Sequence, residues 1–463
     1  MQSFQSGKTI QNLTRGSIPK VLFIFTLPLL LTQILQQVFS LVDGMLIGQY
    51  AGGEALAAVG IAGLFLSVAL NFFIGLSTGI SVLTANLFGS RQYTALKQSI
   101  TTALVIGGVA GSLLTLLGRG AIPFYLEVLK TPEPIFTGAK MYLEVCCFGL
   151  IPQLIYQIGM AILRSLGNTR SALILLGITT LINVLLDVLF IFFGQMGIIG
   201  AALATLIAQW LLALLMINKL QCLPFEYRPS FSKDAVKLSL IPEMMRIGTP
   251  SGLQAIFMSL SSLVIQTYIN GFGAAAIAGM SVFARIEGFL YFPAFSFGMA
   301  VTGFVGQNLG AKKPQRIRRG IGISILAAGV FTLVGSLLLM KFSNSLLNWF
   351  TNDPEVIRNG KQAVVTIFPL YFLYAINQVL IGAIRGFKKT GYPMIASLIA
   401  YCLVRILWCA LLLPQFNDLG VVYTSYVISF VLLLGLLIFG YQRFCQPSYQ
   451  QLTLSAATTS IKS

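Results

Sequence analysis

Histidine is absent from these 463 residues, and charge is scarce, with 13 acidic and 30 basic side chains making up 9% of the chain. The first absence confines any proton chemistry to carboxylates, since no imidazole exists to relay. The second excludes an ordinary soluble globular chain, in which about 25% of residues are charged. The six cysteines, Cys146, Cys147, Cys222, Cys402, Cys409 and Cys445, lack metal-ligand or redox spacing and read as small core residues. The first twenty residues are polar, without the apolar core of a cleaved signal peptide. What is present is apolar: 56% hydrophobic residues and a mean hydropathy of +0.85. Length alone would suggest about three soluble domains; composition points to a polytopic membrane protein.

A helix needs about 20 apolar residues to cross about 30 Å of hydrocarbon. Twelve stretches qualify: 20–47, 55–87, 95–118, 136–162, 171–193, 198–218, 246–269, 275–309, 317–342, 360–383, 393–414 and 419–443. Most Lys and Arg fall in the N-terminal segment, the loops after even-numbered spans and the C-terminal tail. The opposite side holds only Arg119, Lys130, Lys140, Lys341, Arg358 and Lys361, and Arg285 and Arg405 lie inside spans. The positive-inside rule then places both termini in the cytoplasm, with the chain multi-pass in the cell inner (cytoplasmic) membrane. The net charge of +17 is the signature of such loops and implies no nucleic-acid partner.

The chain resembles itself. Pro28 matches Pro250, Asn86-Leu87 matches Asn308-Leu309 and Pro132-Glu133 matches Pro354-Glu355, all at an offset of 222; Gln157, Arg164 and Thr169 match Gln378, Arg385 and Thr390 at 221. That interval holds six spans, an even number, so both halves enter the membrane in the same direction. The expected fold is all-α: twelve transmembrane helices in two six-helix lobes related by a parallel pseudo-two-fold repeat, as in transporters that rock between two states. The expected boundaries are a cytoplasmic segment 1–19, an N-lobe 20–218, a cytoplasmic linker 219–245, a C-lobe 246–443 and a polar, disordered tail 444–463. Pro28 and Pro250 interrupt the backbone ladder of spans 1 and 7, as a static kink or as a hinge.

Three acids lie well inside spans: Asp43, Asp187 and Glu287. A central Asp costs about 2.5–3.5 kcal/mol on insertion scales, a cost that a bound proton or cation reduces. Asp43 and Asp187 sit at similar depth in the outer half of the N-lobe. Asn183 is at i−4 from Asp187 and shares its face, and Thr205 lies at matching depth in span 6. Hard oxygen donors of this kind suit H⁺ or Na⁺; the alternative is a structural hydrogen-bond network between helices. The C-lobe lacks the pair, with Leu263 near the Asp43 position and Trp408 at that of Asp187. There Glu287 either binds a cationic substrate or pairs with Arg405. Arg285, Arg405, Gln157 and Gln378 join it as candidate substrate contacts, and Phe289, Tyr291 and Phe292 could stack on a flat cation.

The segments SLVDGMLIGQYAGGEALAAVG, LRSLGNTRSALILLGITTLINVLLDVLF and ARIEGFLYFPAFSFGMAVTGFVGQNLGAKK resemble the multidrug and toxic compound extrusion (MATE) family over the whole chain. The resemblance implies a monomeric antiporter that exports small cationic amphipathic compounds from the lipid-embedded chain in exchange for H⁺ or Na⁺, with no other cofactor. It places Asp43, Asn183, Asp187 and Thr205 on the N-lobe cation site of the DinF/MepA-like bacterial branch, a possible Na⁺ site, with helix 1 shifting about Pro28. It places Glu287 on a span-8 acid. Spans 7 and 10 contain no Asp or Glu, unlike the NorM-like branch. Three rivals remain. A flippase for lipid-linked or anionic compounds would want a basic cavity. A major-facilitator transporter would usually show an acidic-arginine motif where this chain has NLFGSRQYTALKQ. A membrane enzyme finds no catalytic constellation, and the two-lobe repeat argues against a simple channel.

Overall fold

The computed structural model describes residues 11–449 except 130, 231, 233, 234 and 448. The first ten residues and the tail from 450 onward lie outside the described residues. All regular elements described are helical, as expected in lipid, where a helix satisfies its own backbone.

The first half runs α1 (Ile18–Leu46), α2 (Gly53–Gly89), α3 (Tyr93–Val128), α4 (Glu133–Phe148), α5 (Leu150–Ser165), α6 (Thr169–Asp187) and α7 (Gly197–Gln221). The second runs α8 (Ile241–Asn270), α9 (Ala274–Gly310), α10 (Pro314–Lys341), a short α11 (Ser343–Asn348), α12 (Pro354–Ile367), α13 (Tyr371–Gly386), α14 (Gly391–Ser397), α15 (Arg405–Phe416) and α16 (Leu419–Gly440). Eleven of the described spans are long and apolar enough to cross a membrane, and α4 with α5 forms a twelfth, bent by 47°. The expected single span 136–162 is therefore a broken one. Gly149 sits at the break, and Pro152 withholds the N–H that would bond back across it. The matching span of the second half is also interrupted: a 3₁₀ turn, Phe368–Leu370 with Pro369 inside it, joins α12 to α13. α14 passes into α15 through a π-helical turn, Leu398–Val404.

Local signals set the helix starts. Asn168 caps α6 by accepting from the Ser171 N–H at 3.2 Å, and Asp353 caps α12 by accepting from Glu355 N–H at 2.9 Å, with Pro354 in the first helical position. The internal repeat recurs in the backbone. Eight of the ten positive-φ residues described form pairs 221 or 222 apart: Gly52 and Gly273, Arg91 and Lys312, Gly167 and Lys388, Gln195 and Asn417. Each marks a helix end or the turn beside it.

Contacts divide the chain into two units at other places than the expected linker. The first unit takes in Leu31–Gly248 and the second Leu13–Leu30 together with Thr249 onward. The changes of unit thus fall just before Leu13, within α1 two residues past Pro28, and within α8 just before Pro250. α1 itself runs unbroken through Pro28. The polar connection is also shorter than 219–245, because α7 continues to Gln221 and α8 begins at Ile241.

In unit 2, α9 and α13 pack backbone to backbone. A Cβ on Gly382 would overlap the Gly298 carbonyl, and one on Gly386 would lie 2.6 Å from the Val305 side chain. Small residues allow such approach where no hydrophobic drive separates helix from lipid. We expect Gly382→Ala to destabilise the protein by about 1–3 kcal/mol and to lower its melting temperature in detergent. Gly435→Ala on α16, which meets open space, should leave that temperature unchanged or slightly raised.

Candidate functional site: a carboxylate pair in the first unit

α1 carries Asp43 and α6 carries Asp187 as its last residue. The two carboxyls face one another closely enough to interact, yet strict hydrogen-bond geometry is not met. Asp43 Oδ1 and both carboxylate oxygens of Asp187 are buried without a hydrogen-bond partner. Asn183, one turn earlier on the same face of α6, is buried too, and neither its Oδ1 nor its Nδ2 is bonded. Buried polar atoms are normally paired, and two like charges in a low-dielectric site repel strongly. Five idle atoms in one place therefore describe a site short of a partner. A shared proton or a small cation would supply it. No group of three or more His, Cys, Asp or Glu gathers among the described residues. The donors here are two carboxylates and an amide, a set suited to H⁺ or a monovalent hard cation.

Thr205 lies on α7, which packs against α6. It is half-buried and makes no hydrogen bond to either acid among the described residues. Tyr142 on α4 is a further residue near the acids that the sequence alone does not single out. That phenol is buried and lies in electrostatic range of Asp43, Asp187 and Cys146. A search for every hydroxyl at the depth of the acids, not only Asn and Thr, would have found it. Also unforeseen are two π-helical turns, Ile47–Ala51 four residues past Asp43 and Val188–Phe193 directly after Asp187. They pack on each other, with the Tyr50 and Phe192 rings 5.4 Å apart edge to face. π turns cluster at functional sites.

In unit 2 the acid is satisfied instead. Glu287 Oε1 accepts from the Tyr371 hydroxyl at 2.8 Å. Around it stand Tyr291 stacked on Tyr374 at 5.9 Å and Phe430 against Tyr371 at 5.7 Å. Gln378 joins this cluster by donating to the Tyr374 hydroxyl at 2.7 Å. Arg405 interacts electrostatically with Glu287, but its guanidinium lies over Tyr426 at 4.1 Å and Tyr401 at 5.0 Å and donates to Ser429 at 3.3 Å. The ion pair among the described residues is elsewhere, Arg358 with Glu355. Arg285, expected as a buried cation, is exposed and rests over Phe350 at 5.9 Å. Two residues apart on a helix is about 200° of rotation, which turns it away from Glu287. Phe289 is exposed as well. Gln157 lines a small apolar cavity of about 30 Å³ in unit 1 with Phe73, Leu76 and Met245. That is room for about one water, far below the 300 Å³ or more of a drug-sized pocket.

A family model described as MatE matches the chain twice, over residues 28–189 and 250–411; the two matches are themselves 222 residues apart. The chain is 26% identical over 454 residues to the probable multidrug resistance protein YoeA of Bacillus subtilis (strain 168), spanning 96% of this chain and 97% of that one. It is 28% identical over 399 residues to the probable multidrug resistance protein NorM of Thermotoga maritima, 84% of each. A solved structure of MATE in the bent conformation superposes with a TM-score of 0.88 at 20% identity, covering 98% of this chain and 100% of that one. A MOP superfamily transporter from Pyrococcus furiosus, described with a reverse polarity of its binding pocket, gives 0.88 at 20% identity, covering 97% and 99%. At such identity these two structures establish the fold alone.

An amide has nearly the shape of a carboxylate and carries no charge to neutralise. Asp187→Asn should therefore fold and melt at or above the wild-type temperature in the absence of ions. It should lose the stabilisation that Na⁺ at pH 8, or a shift to pH 6, confers on the wild type. A variant that melts far below wild type under every condition would mark the cluster as a structural network instead.

Proposed function

The chain belongs to the MatE family, and from that membership we propose that it is a secondary active antiporter exporting cationic amphipathic organic compounds in exchange for H⁺ or Na⁺. The observation that carries the proposal is the partnerless pair Asp43 and Asp187 with the idle amide of Asn183. Asp43, Asn183 and Asp187 hold the ion, Thr205 stands as a further oxygen donor on α7, and Tyr142 lies beside the acids. Glu287 within its ring of Tyr371, Tyr374, Tyr291 and Phe430, with Gln378 and Arg405 at the edge, offers a negative, aromatic surface for an organic cation. Arg285 turns away from that surface and takes no part in it, and Gln157 belongs to the small apolar cavity of unit 1.

The coupling logic is thermodynamic. An ion moves the conformational balance only if it prefers one state. Binding at the carboxylate pair removes a repulsion inside unit 1, so the state in which the acids face each other is the one an ion favours. If that state holds substrate less well, ion entry from outside expels substrate, and α1 near Pro28 is where a shift of Asp43 has room to bend. The parallel repeat suits rocking of the two halves. With one H⁺ exchanged for one monovalent cation, each pH unit supplies about 1.4 kcal/mol. We place the protein as a monomer in the cytoplasmic membrane with both termini inside. A flippase for anionic compounds is disfavoured, because the exposure of Arg285 leaves Arg405 as the cation beside Glu287.

Ethidium efflux from cells or inverted vesicles, with pH and sodium gradients imposed separately, tests the proposal. One of the two gradients should drive efflux, and Asp43→Asn should abolish it while the protein remains in the membrane at near wild-type amount. Failure of both gradients with every cationic dye tried would end the drug-export reading.

A further inference from the structure

Ahead of α1 runs a short leader, Leu13–Ser17, and unit 2 holds it by its backbone. Leu13 is fully buried. Its N–H donates to Gln307 Oε1 at 3.0 Å, and its carbonyl accepts from Asn308 Nδ2 and from Arg316 Nε, each at 3.2 Å. Lys313 Nζ donates to the Thr14 carbonyl at 2.9 Å. The two terminal nitrogens of Arg316 donate to the carbonyls of Arg15 at 2.9 Å and Gly16 at 2.7 Å. Four successive carbonyls, which no helix or strand would satisfy, are thus all engaged by side chains from the end of α9 and the start of α10. Gln307 and Asn308 are themselves fully buried. Gly16, at φ +79°, turns the chain into α1. The first turns of α1 then continue in the core of the same unit through Val21, Leu22, Phe25 and Leu29. Beyond Leu30 the helix belongs to unit 1, where it carries Asp43.

The repeat does not reproduce this clamp. At the positions 222 residues before Gln307, Asn308, Lys313 and Arg316 stand Ala85, Asn86, Arg91 and Thr94. The leader of α8 is held differently, by the Ser230 and Lys237 N–H groups donating to the Thr101 and Thr102 hydroxyls at 3.2 and 2.9 Å. The asymmetry follows that of the acids: the helix that carries Asp43 is the one whose leader is caged.

We propose that Arg316, together with Lys313, Gln307 and Asn308, positions the start of α1 on unit 2, so that α1 transmits ion occupancy at Asp43 to the half of the chain that holds its leader. These side chains bind neither ion nor substrate. They keep the helix taut. A slack leader lets Asp43 respond to the ion without moving anything in unit 2. The proposal rests on the antiport reading above.

The test is ethidium binding to the purified full-length protein at pH 8 without Na⁺, at pH 8 with saturating Na⁺, and at pH 6. It uses the wild type, Arg316→Gln and a variant with two glycines inserted between Gly16 and Ser17. In the wild type the coupling ion should weaken ethidium binding by a factor in the range of about 5 to 150, whereas in both variants the change should fall below about twofold. Both variants should keep the ion-free ethidium affinity and the rise in melting temperature that the ion confers, since the carboxylate pair is untouched. The insertion leaves every clamp residue in place, so it decides the matter if Arg316→Gln fails to fold. Variants that retain the wild-type shift overturn the proposal. So does loss of the ion-dependent rise in melting temperature, which would make the clamp purely structural. A wild type with no ion-dependent shift sinks the antiport reading, and this inference with it.

Discussion

Two carboxylates facing each other in an apolar interior, with no protein group donating to Asp187 or to the buried oxygen of Asp43, would repel far more strongly than in water if both were ionised. Nothing in α1, α4, α6 or α7 relieves that repulsion with a buried Lys or Arg. The chain tolerates the arrangement only because the helices that carry the acids are held by their own packing, with Ile47, Tyr142, Cys146 and Ile191 in one core cluster of the unit. A self-sufficient polar network would close on itself through Asn183. Here the amide makes no hydrogen bond, and the network stays open. The π turns just beyond both acids widen the helices where regular α geometry would continue, and they meet through Tyr50 and Phe192.

The second unit solves the same insertion problem by satisfying its acid. Glu287 has Tyr371 as a donor, and the surrounding rings pack on each other. Its helices come together through glycines: α9 and α13 meet at Gly298, Gly382 and Gly386. The halves thus share a backbone, down to positive-φ residues paired 221 or 222 apart, while their chemistry differs. A duplicated scaffold preserves turn geometry because turns constrain φ. It leaves interior polar positions free to diverge, because those are not constrained by turn geometry.

Span number, helical class and repeat were legible in the chain, because hydrophobic length and the spacing of Pro28 and Pro250 survive without knowledge of packing. The acids Asp43 and Asp187 were legible for the same reason: a charge in an apolar run has no local explanation. Their common depth follows from the rise per residue along each span. The break at Gly149 was missed because a bent span and a straight one have the same hydropathy. Arg285 was misplaced because its sequence distance from Glu287 is short while its angular distance is large. Tyr142 was overlooked because a tyrosine in an apolar span looks like packing until its neighbours are known. The change of unit inside α1 and α8 left no mark in composition.

The sequence by itself determined that this chain spans a membrane in two like halves and that two acids lie at one depth of the first half. Those properties depend on one-dimensional quantities: length, hydropathy and register. Only the tertiary structure decided that the acids face each other without partners, that Glu287 has one, and that the leader of the Asp43 helix is caged by residues nearly three hundred positions away. Those are matters of azimuth and long-range contact, set when helices choose which faces to bury, and no local run of residues records that choice.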